Sequence, residues 1–166
     1  SHLEDIIKFT KRHVNLNAGD AVLDIGCNDG TLLNKYGFEK KLKRYGVDPS
    51  SEKFLHMFQN DIKVLTDFFS YKKVNEFSEG KKFKVISSIA MFYDIDDPVE
   101  FAKSIELLLD DEGFWIIEIA YLPLMMKNLA YDQIMHEHLT YLSLKQMEII
   151  FEKSNNFIII YCNHFL

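Results

Sequence analysis

The chain has 166 residues, of which 48% are hydrophobic and 27% charged, and its formal net charge is −6. These totals are those of one globular domain, residues 1–166, with a core large enough to fold without disulfides. Nucleic-acid binding normally uses a basic face, so the negative charge argues against a nucleic-acid partner. The basic clusters at 40–44 and 72–82 are interpreted as solvated ends of surface helices.

Two cysteines, Cys27 and Cys162, are too few for a secreted disulfide framework or a four-ligand zinc site. They indicate a reducing compartment, and we expect a cytoplasmic protein that uses no metal. We expect no membrane association, since no apolar run reaches about 18 residues and no signal peptide is visible. The start at Ser1 and His2, without methionine, looks like a cloning remnant, so flanking domains in a longer protein are expected.

Apolar stretches rich in β-branched or aromatic residues alternate with stretches of helical period. This is the pattern of βαβ units, and it predicts an α/β fold with a doubly wound, mostly parallel sheet and helices on both faces. Strands are predicted at 21–25, 44–47, 62–65, 83–89, 114–120 and 157–162. Helices are predicted at 3–14, 31–36, 51–57, after Pro98 and at 144–153, with a break at 110–113. The last strand ends near the C-terminus, so we expect the sheet to lack a final antiparallel strand.

Residues 22–33, VLDIGCNDGTLL, form a buried strand that leads through a glycine-bearing turn into a helix. Gly26 and Gly30 permit a positive φ and let the backbone approach a ligand without a Cβ. Dinucleotide sites use the same three elements, but their fingerprint is G-x-G-x-x-G, whereas this turn is G-x-x-x-G. An NAD-dependent oxidoreductase is therefore disfavoured.

Acidic residues end the first two strands. Asp24 would repel a diphosphate but suits a cationic, amine-bearing ligand such as S-adenosylmethionine. Asp48 follows about twenty residues later, where a carboxylate can accept both ribose hydroxyls. The alternative is that the glycines only make a tight turn and Asp48 only caps the next helix.

These segments resemble class I S-adenosylmethionine-dependent methyltransferases over nearly the whole chain, which implies a Rossmann-like fold. The resemblance implies that the turn at 26–30 receives the methionine part, that Asp48 binds the ribose, and that Asp67 and Phe68 contact adenine. Asp67 and Phe68 could instead be a strand-ending acid and a core phenylalanine. The candidate cofactor-binding residues are Asp24, Gly26, Cys27, Asn28, Gly30, Asp48, Pro49, Asp67 and Phe68.

Residues 130–144, AYDQIMHEHLTYLSL, resemble a segment of sugar C-methyltransferases, which act on nucleotide-linked keto sugars in deoxysugar pathways. FYDIDDP, at 92–98, fits the same group. The resemblance implies that His138 is the general base and that Tyr93 lines the acceptor site. Those enzymes usually carry a cysteine-rich zinc-binding segment before this core and a domain after it, and residues 1–166 resemble only the core, so the acceptor stays open.

Methylation of carbon needs a base, because a carbon beside a carbonyl becomes nucleophilic only after a proton is removed, and this segment contains candidate bases. A histidine serves well at neutral pH. If residues 136–138 are extended, His136 and His138 point the same way and Glu137 points away; in a helix the two would diverge. Tyr141 could hold the base in one tautomer. The alternative is a polar loop whose histidines only satisfy backbone groups.

The predicted function is methyl transfer from S-adenosylmethionine to a small-molecule acceptor, with His138, His136, Glu137 and Tyr93 as candidate catalytic residues. One alternative keeps the fold and methylates oxygen or nitrogen of another small molecule. Another is a non-catalytic domain that binds the cofactor inside a larger synthase.

Overall fold

The computed structural model describes residues 2–36, 41–130, 132, 134–136 and 138–154. Its strands are β1 Ala21–Ile25, β2 Lys43–Val47, β3 Ile62–Leu65, β4 Phe83–Ile89 and β5 Leu109–Glu118. They form one sheet in the order β3-β2-β1-β4-β5, and every neighbouring pair is parallel. The predicted doubly wound α/β fold is confirmed.

The helices are α1 His2–His13, α2 Thr31–Lys35, α3 Tyr71–Phe77, α4 Pro98–Leu108, α5 Leu122–Lys127 and α6 Leu144–Lys153. Two 3-10 helices span Pro49–Met57 and Phe92–Asp94. None of the helices in the described ranges is long and apolar enough to cross a membrane.

The sheet is covered on both faces, so its central strands β2, β1 and β4 are buried almost throughout. On one face α1 and α2 pack with the residue that follows the first 3-10 helix, through Ile6, Ile7, Leu32, Leu33 and Phe58. On the other face α3, α4 and α6 pack through Val74, Phe101, Ile105, Leu108, Met147 and Phe151. All five residues of β1 are buried between these layers.

The structure differs from the predicted elements in four places. Helix α4 does end just before residues 110–113, but the next strand, β5, spans Leu109–Glu118 rather than the predicted 114–120, so these residues already belong to it. The strand bulges there, since Phe83 pairs with Leu109 but Val85 pairs with Phe114. The segment at 49–57 is a 3-10 helix rather than an α-helix, and the short helices α3 and α5 were not predicted because they bury too little to show helical periodicity. The predicted strand at 157–162 lies outside the described residues.

Arg44 contradicts the interpretation of the first basic cluster as solvated. Its side chain is 2% exposed, and its guanidinium donates to Leu33 O, Gln59 Oε1 and Asp61 Oδ1 at 3.1, 2.8 and 2.5 Å. The hydrogen bond from Arg44 lowers the pKa of Asp61. Arg44 therefore ties the end of α2 to the chain that enters β3.

Alanine substitutions at two glycines should separate backbone strain from packing. Gly30 and Gly80 have nearly the same φ, 74° and 73°, but a Cβ on Gly30 would lie 2.4 Å from Phe58 Cε1, whereas a Cβ on Gly80 would meet no atom within 4 Å. Gly80→Ala should lower the free energy of unfolding by about 1–2 kcal/mol through left-handed strain. Gly30→Ala should lower the free energy of unfolding by about 1–3 kcal/mol more, because the added Cβ overpacks the core. Urea denaturation measures both, and equal losses would contradict the packing explanation.

Candidate functional site

The candidate residues lie where the parallel strands end. β2 and β3 lie on one side of β1, and β4 and β5 on the other, so the chain reverses its winding direction at β1. Open α/β sheets bind their ligands outside the carboxyl ends of the strands at such a switch point. The turn after β1, Asp48 after β2 and Asp67 after β3 lie at this edge, and Tyr93 follows β4.

The turn between β1 and α2 is a compact left-handed loop. Gly26, Asn28 and Gly30 have φ values of 77°, 45° and 74°, which confirms the predicted positive φ at both glycines. Gly26 N donates to Val47 O at 2.9 Å, so the turn is attached to the end of β2. A non-glycine residue in this region is strained, and the left-handed Asn28 needs support from its surroundings.

Asp48 gives that support. Its Oδ2 accepts a hydrogen bond from Asn28 N at 2.9 Å, and its Oδ1 accepts one from Ser50 N at 2.7 Å. It is also the N-cap of the 3-10 helix that begins at the exposed Pro49. Asp48 therefore caps this helix, as the alternative interpretation predicted. Capping leaves part of the carboxylate available, because each oxygen has about two acceptor positions and these contacts use one on each.

The glycines of the turn make room for protein side chains. A Cβ on Gly30 would lie 2.4 Å from Phe58 Cε1, and one on Gly26 would lie 3.0 Å from Met91 Cγ. The expectation that the missing Cβ atoms let the backbone approach a ligand therefore stays a prediction. The glycines determine the shape of the turn, and the neighbouring side chains occupy the space that a Cβ would need.

Cys27 also points into the protein. Its side chain is buried, a Cβ on Gly46 would lie 2.6 Å from its Sγ, and that Sγ lies 3.3 Å from Ser51 Oγ. The Ser51 hydroxyl donates to Asn28 O at 2.5 Å. Burial raises the pKa of the Cys27 thiol to about 12, so it is no nucleophile. Because the side chain of Cys27 is buried, this residue can contact a ligand at the edge only through its backbone.

Asp24 is a buried carboxyl group with one hydrogen-bonding side chain. It is 3% exposed, and Ser87 Oγ donates to its Oδ1 at 2.5 Å. Burial raises its pKa to about 7; the Ser87 hydrogen bond opposes this rise, and the negative charge of Asp48 adds to it. The two carboxyl groups therefore share one electrostatic environment, which favours a cation.

Asp67 and Phe68 follow β3 at the same edge. Asp67 Oδ1 accepts from Phe68 N at 2.7 Å, and Asp67 Oδ2 pairs with Lys73 Nζ at 2.7 Å. The hydrogen bond from Lys73 lowers the pKa of Asp67. The Phe68 side chain is 73% exposed, so the alternative of a core phenylalanine is wrong.

His138 lies against Tyr93, with ring centroids 3.9 Å apart and planes inclined by 36°. The backbone of the two segments is joined as well, since Tyr93 O accepts from Leu139 N and Thr140 N, each at 3.1 Å. His138 Nδ1 is buried and has no hydrogen-bond partner among the described residues. Burial raises the pKa of Tyr93, with smaller effects from nearby acids.

The turn that carries His138 does not meet the condition for a two-histidine site. His138 N donates to Met135 O at 3.3 Å, which closes a turn, and His136 is exposed in that turn. Tyr141 Oη contacts the backbone of Met135 rather than an imidazole. Glu137 lies outside the described residues. Within the described ranges, no group of three or more His, Cys, Asp or Glu could hold a metal ion.

Sequence reasoning missed Ser51, Ser87 and Glu118. Ser51 supports the turn after β1, and Ser87 supports Asp24. Neither could be found from the sequence, because a small polar residue in a strand or at the start of a helix carries no distinguishing signal. Glu118 ends β5, its backbone accepts from Ala90 N at 3.0 Å, and its carboxylate contacts the imidazole of His2. Its charge is one of those that raise the pKa of Tyr93.

Comparison with known proteins gave matches of three kinds. A family model described as "Methyltransferase domain" matches residues 2–159. "C-methyltransferase NovU" of Streptomyces niveus is 26% identical over 154 residues, which are 91% of this chain and 36% of that protein. "tRNA U34 carboxymethyltransferase" of Campylobacter lari is 28% identical over 131 residues, 72% of this chain and 42% of that protein.

Among solved structures, the plantazolicin methyltransferase BpumL, in complex with a triazolic desmethylPZN analog and SAH, has a TM-score of 0.66 at 20% identity. The match covers 90% of this chain and 60% of that chain. The chain spans less than half the length of the curated relatives named above.

Asp24→Asn should change how stability depends on pH. The pKa of Asp24 is raised from 3.8 to about 7 in the folded protein, so the folded state binds a proton more tightly than the unfolded state between these values. Stability from this group therefore falls as pH rises from about 4 to 7. Without ligand, the variant should be more stable than wild type at pH 8, on the order of 3–4 kcal/mol. The difference should shrink at pH 5, and urea denaturation that showed the same difference at both pH values would contradict this.

Proposed function

We propose that this chain, which belongs to the methyltransferase domain family, transfers a methyl group to a carbon of a nucleotide-linked keto sugar with His138 as general base. Family and fold make it a class I S-adenosylmethionine-dependent methyltransferase domain. The observation that carries the proposal is the contact between His138 and Tyr93, in a loop at the sheet edge where Asp24 and Asp48 also lie. Similarity to C-methyltransferase NovU supports a carbon acceptor.

The buried carboxyl of Asp24 fits a cationic cofactor. S-adenosylmethionine carries positive charge on its sulfonium and amino groups. Burial, with a smaller effect from the negative charge of Asp48, raises the pKa of Asp24 to about 7 against the opposing hydrogen bond from Ser87. A cation beside it would favour the ionised form, and we assign to Asp24 the attraction of the methionine end.

Asp48 and Phe68 fit the nucleoside. Each Asp48 oxygen accepts one backbone N–H and retains room for about one further hydrogen bond, so the carboxylate can accept the two ribose hydroxyls. The exposed ring of Phe68 is an apolar surface that adenine can cover, and stacking of a base on an aromatic ring is worth about 1–3 kcal/mol. Asp67, next to that ring, can accept from the adenine amino group.

The acceptor side has the groups that carbon methylation needs. When bound, the cofactor supplies an electrophilic methyl group. His138 removes a proton from the carbon beside the acceptor carbonyl, and its ring is held in place by contact with Tyr93. The Tyr93 carbonyl, which accepts from Leu139 and Thr140, keeps the two segments together. Positioning of this kind accounts for much of the rate of such transfers.

Other acceptors are separated from this proposal by product analysis. Because one relative is named as a tRNA-modifying enzyme, the negative net charge does not by itself exclude nucleic acid. Several basic residues are already engaged within the protein: Arg44 with Asp61, Lys73 with Asp67, and Lys84 with Asp110 and Glu112. This favours a small-molecule acceptor. A methylated oxygen, nitrogen or tRNA product would overturn the carbon-acceptor proposal.

Asp48→Asn should weaken cofactor binding. An amide supplies one acceptor oxygen instead of two, so the variant loses contacts to the ribose as well as one to its own loops. Hydrogen bonds to charged groups contribute about 1.5–3 kcal/mol, so the Kd for S-adenosylmethionine should rise about tenfold or more. Isothermal titration calorimetry measures it.

The matched control is Asp110→Asn, which removes the same charge from a residue near the start of β5, at the opposite edge of the sheet. It should leave the Kd unchanged. Equal affinities in both variants would reject the assignment of Asp48, and no binding heat for the unaltered chain at millimolar ligand would reject the cofactor site.

His138→Gln should lose methyl transfer while it keeps cofactor affinity. A positioned base contributes typically about 10²–10⁴ in rate, so kcat should fall by that factor with a nucleoside-diphosphate keto sugar as acceptor. The control His56→Gln changes an exposed histidine of the first 3-10 helix and should leave kcat unchanged. Unchanged turnover in His138→Gln would reject the base.

A further inference from the structure

The Tyr141 hydroxyl holds together the turn that carries His138. It accepts a hydrogen bond from Met135 N at 2.8 Å and donates one to Met135 O at 3.2 Å. That same Met135 oxygen accepts from His138 N at 3.3 Å. Both backbone groups of one residue are thus bound by one side chain, three residues beyond the histidine.

The imidazole depends on this backbone arrangement for its position. Its Nδ1 is buried without a partner among the described residues, so no hydrogen bond at that nitrogen orients the ring there. Among the described residues, the ring contacts Tyr93, at 3.9 Å between centroids, and Tyr141, at 5.7 Å. A shift of the turn would move the imidazole along the Tyr93 ring.

We infer that Tyr141 is a positioning residue for His138, and that its hydroxyl acts through the backbone of Met135, beside the direct contact of the two rings. The inference rests on the proposed function only in taking His138 as the base. Met135 is 48% exposed, so its backbone groups can bind water when the hydroxyl is removed, and folding should be little affected. The position of the base is more sensitive, because a displacement of about 1 Å can lower a rate about 10²-fold.

A labelling experiment tests whether the Tyr141 hydroxyl holds the turn, and it needs no methyl acceptor. Diethylpyrocarbonate modifies accessible neutral imidazoles, and mass spectrometry gives the rate at each histidine. In the unaltered chain His138 should react more slowly than the exposed His56. In Tyr141→Phe, which keeps the ring, the rate at His138 should rise about threefold or more through local opening, with no change at His56.

The matched control is Tyr71→Phe, which removes a hydroxyl from a surface tyrosine of α3 and should leave the rate at His138 unchanged. An unchanged rate at His138 in Tyr141→Phe would overturn the inference. So would equal increases at every histidine together with a lower melting temperature, since that would indicate general destabilisation.

Kinetic measurements then test whether the Tyr141 hydroxyl affects methyl transfer through the position of His138. Tyr141→Phe should lower kcat about 10- to 100-fold while the KM for S-adenosylmethionine stays unchanged. The double variant with His138→Gln should be no slower than His138→Gln alone, because the two residues act as a unit. Additive losses would overturn the inference. If His138→Gln alone keeps full turnover, the proposed function fails, and the labelling result still decides whether Tyr141 holds the turn.

Discussion

The carboxylate of Asp48 is the contact on which the proposed cofactor site, at the carboxyl ends of β1, β2 and β3, depends. One oxygen holds the left-handed turn after β1 through Asn28 N, and the other caps the helix that follows β2 through Ser50 N. Charge-assisted hydrogen bonds of this kind are stronger than neutral ones, and here they stabilise a turn with a strained residue. The turn, the strand end and the helix start are thereby held as one unit.

The packing beneath this edge explains the tight turn and the buried acid. Cys27 fills the space over Gly46 and contacts Ser51, so residues on the buried side of the turn lock it to β2. Asp24 lies in the same dry environment, which raises its pKa to about 7 and disfavours its charge. A carboxyl group that destabilises the empty site is reasonable where a cation binds, since functional sites often sacrifice stability for binding.

The proposed acceptor side is built differently. Tyr93 and His138 come from loops, and their segments are joined by the hydrogen bonds of one carbonyl group and by ring contact. An isolated bridge between Tyr121 and Leu142 closes the segment that carries His138. The proposed cofactor site is therefore fixed by the sheet, whereas the proposed acceptor side depends on a few loop contacts. Loops are where related folds differ in chemistry.

The sequence by itself determined the sheet and the strand ends at which the proposed cofactor site lies. Buried parallel strands are continuous apolar runs, and the predicted bounds of β1, β3 and β4 agree with the structure. The left-handed glycines were also predictable, because a sharp strand-to-helix turn needs positive φ. The bulge in β5 was not, since it depends on pairing with a distant strand.

Only the tertiary structure decided which side chains face each other. It placed Ser87 on Asp24, buried Arg44, exposed Phe68, and put the Tyr141 hydroxyl on the backbone of Met135 instead of on an imidazole. These contacts join residues from different strands and loops, and local periodicity carries no information about distances between them. A strand pattern specifies which face a residue occupies, but the neighbour it meets there depends on how the chain crosses over.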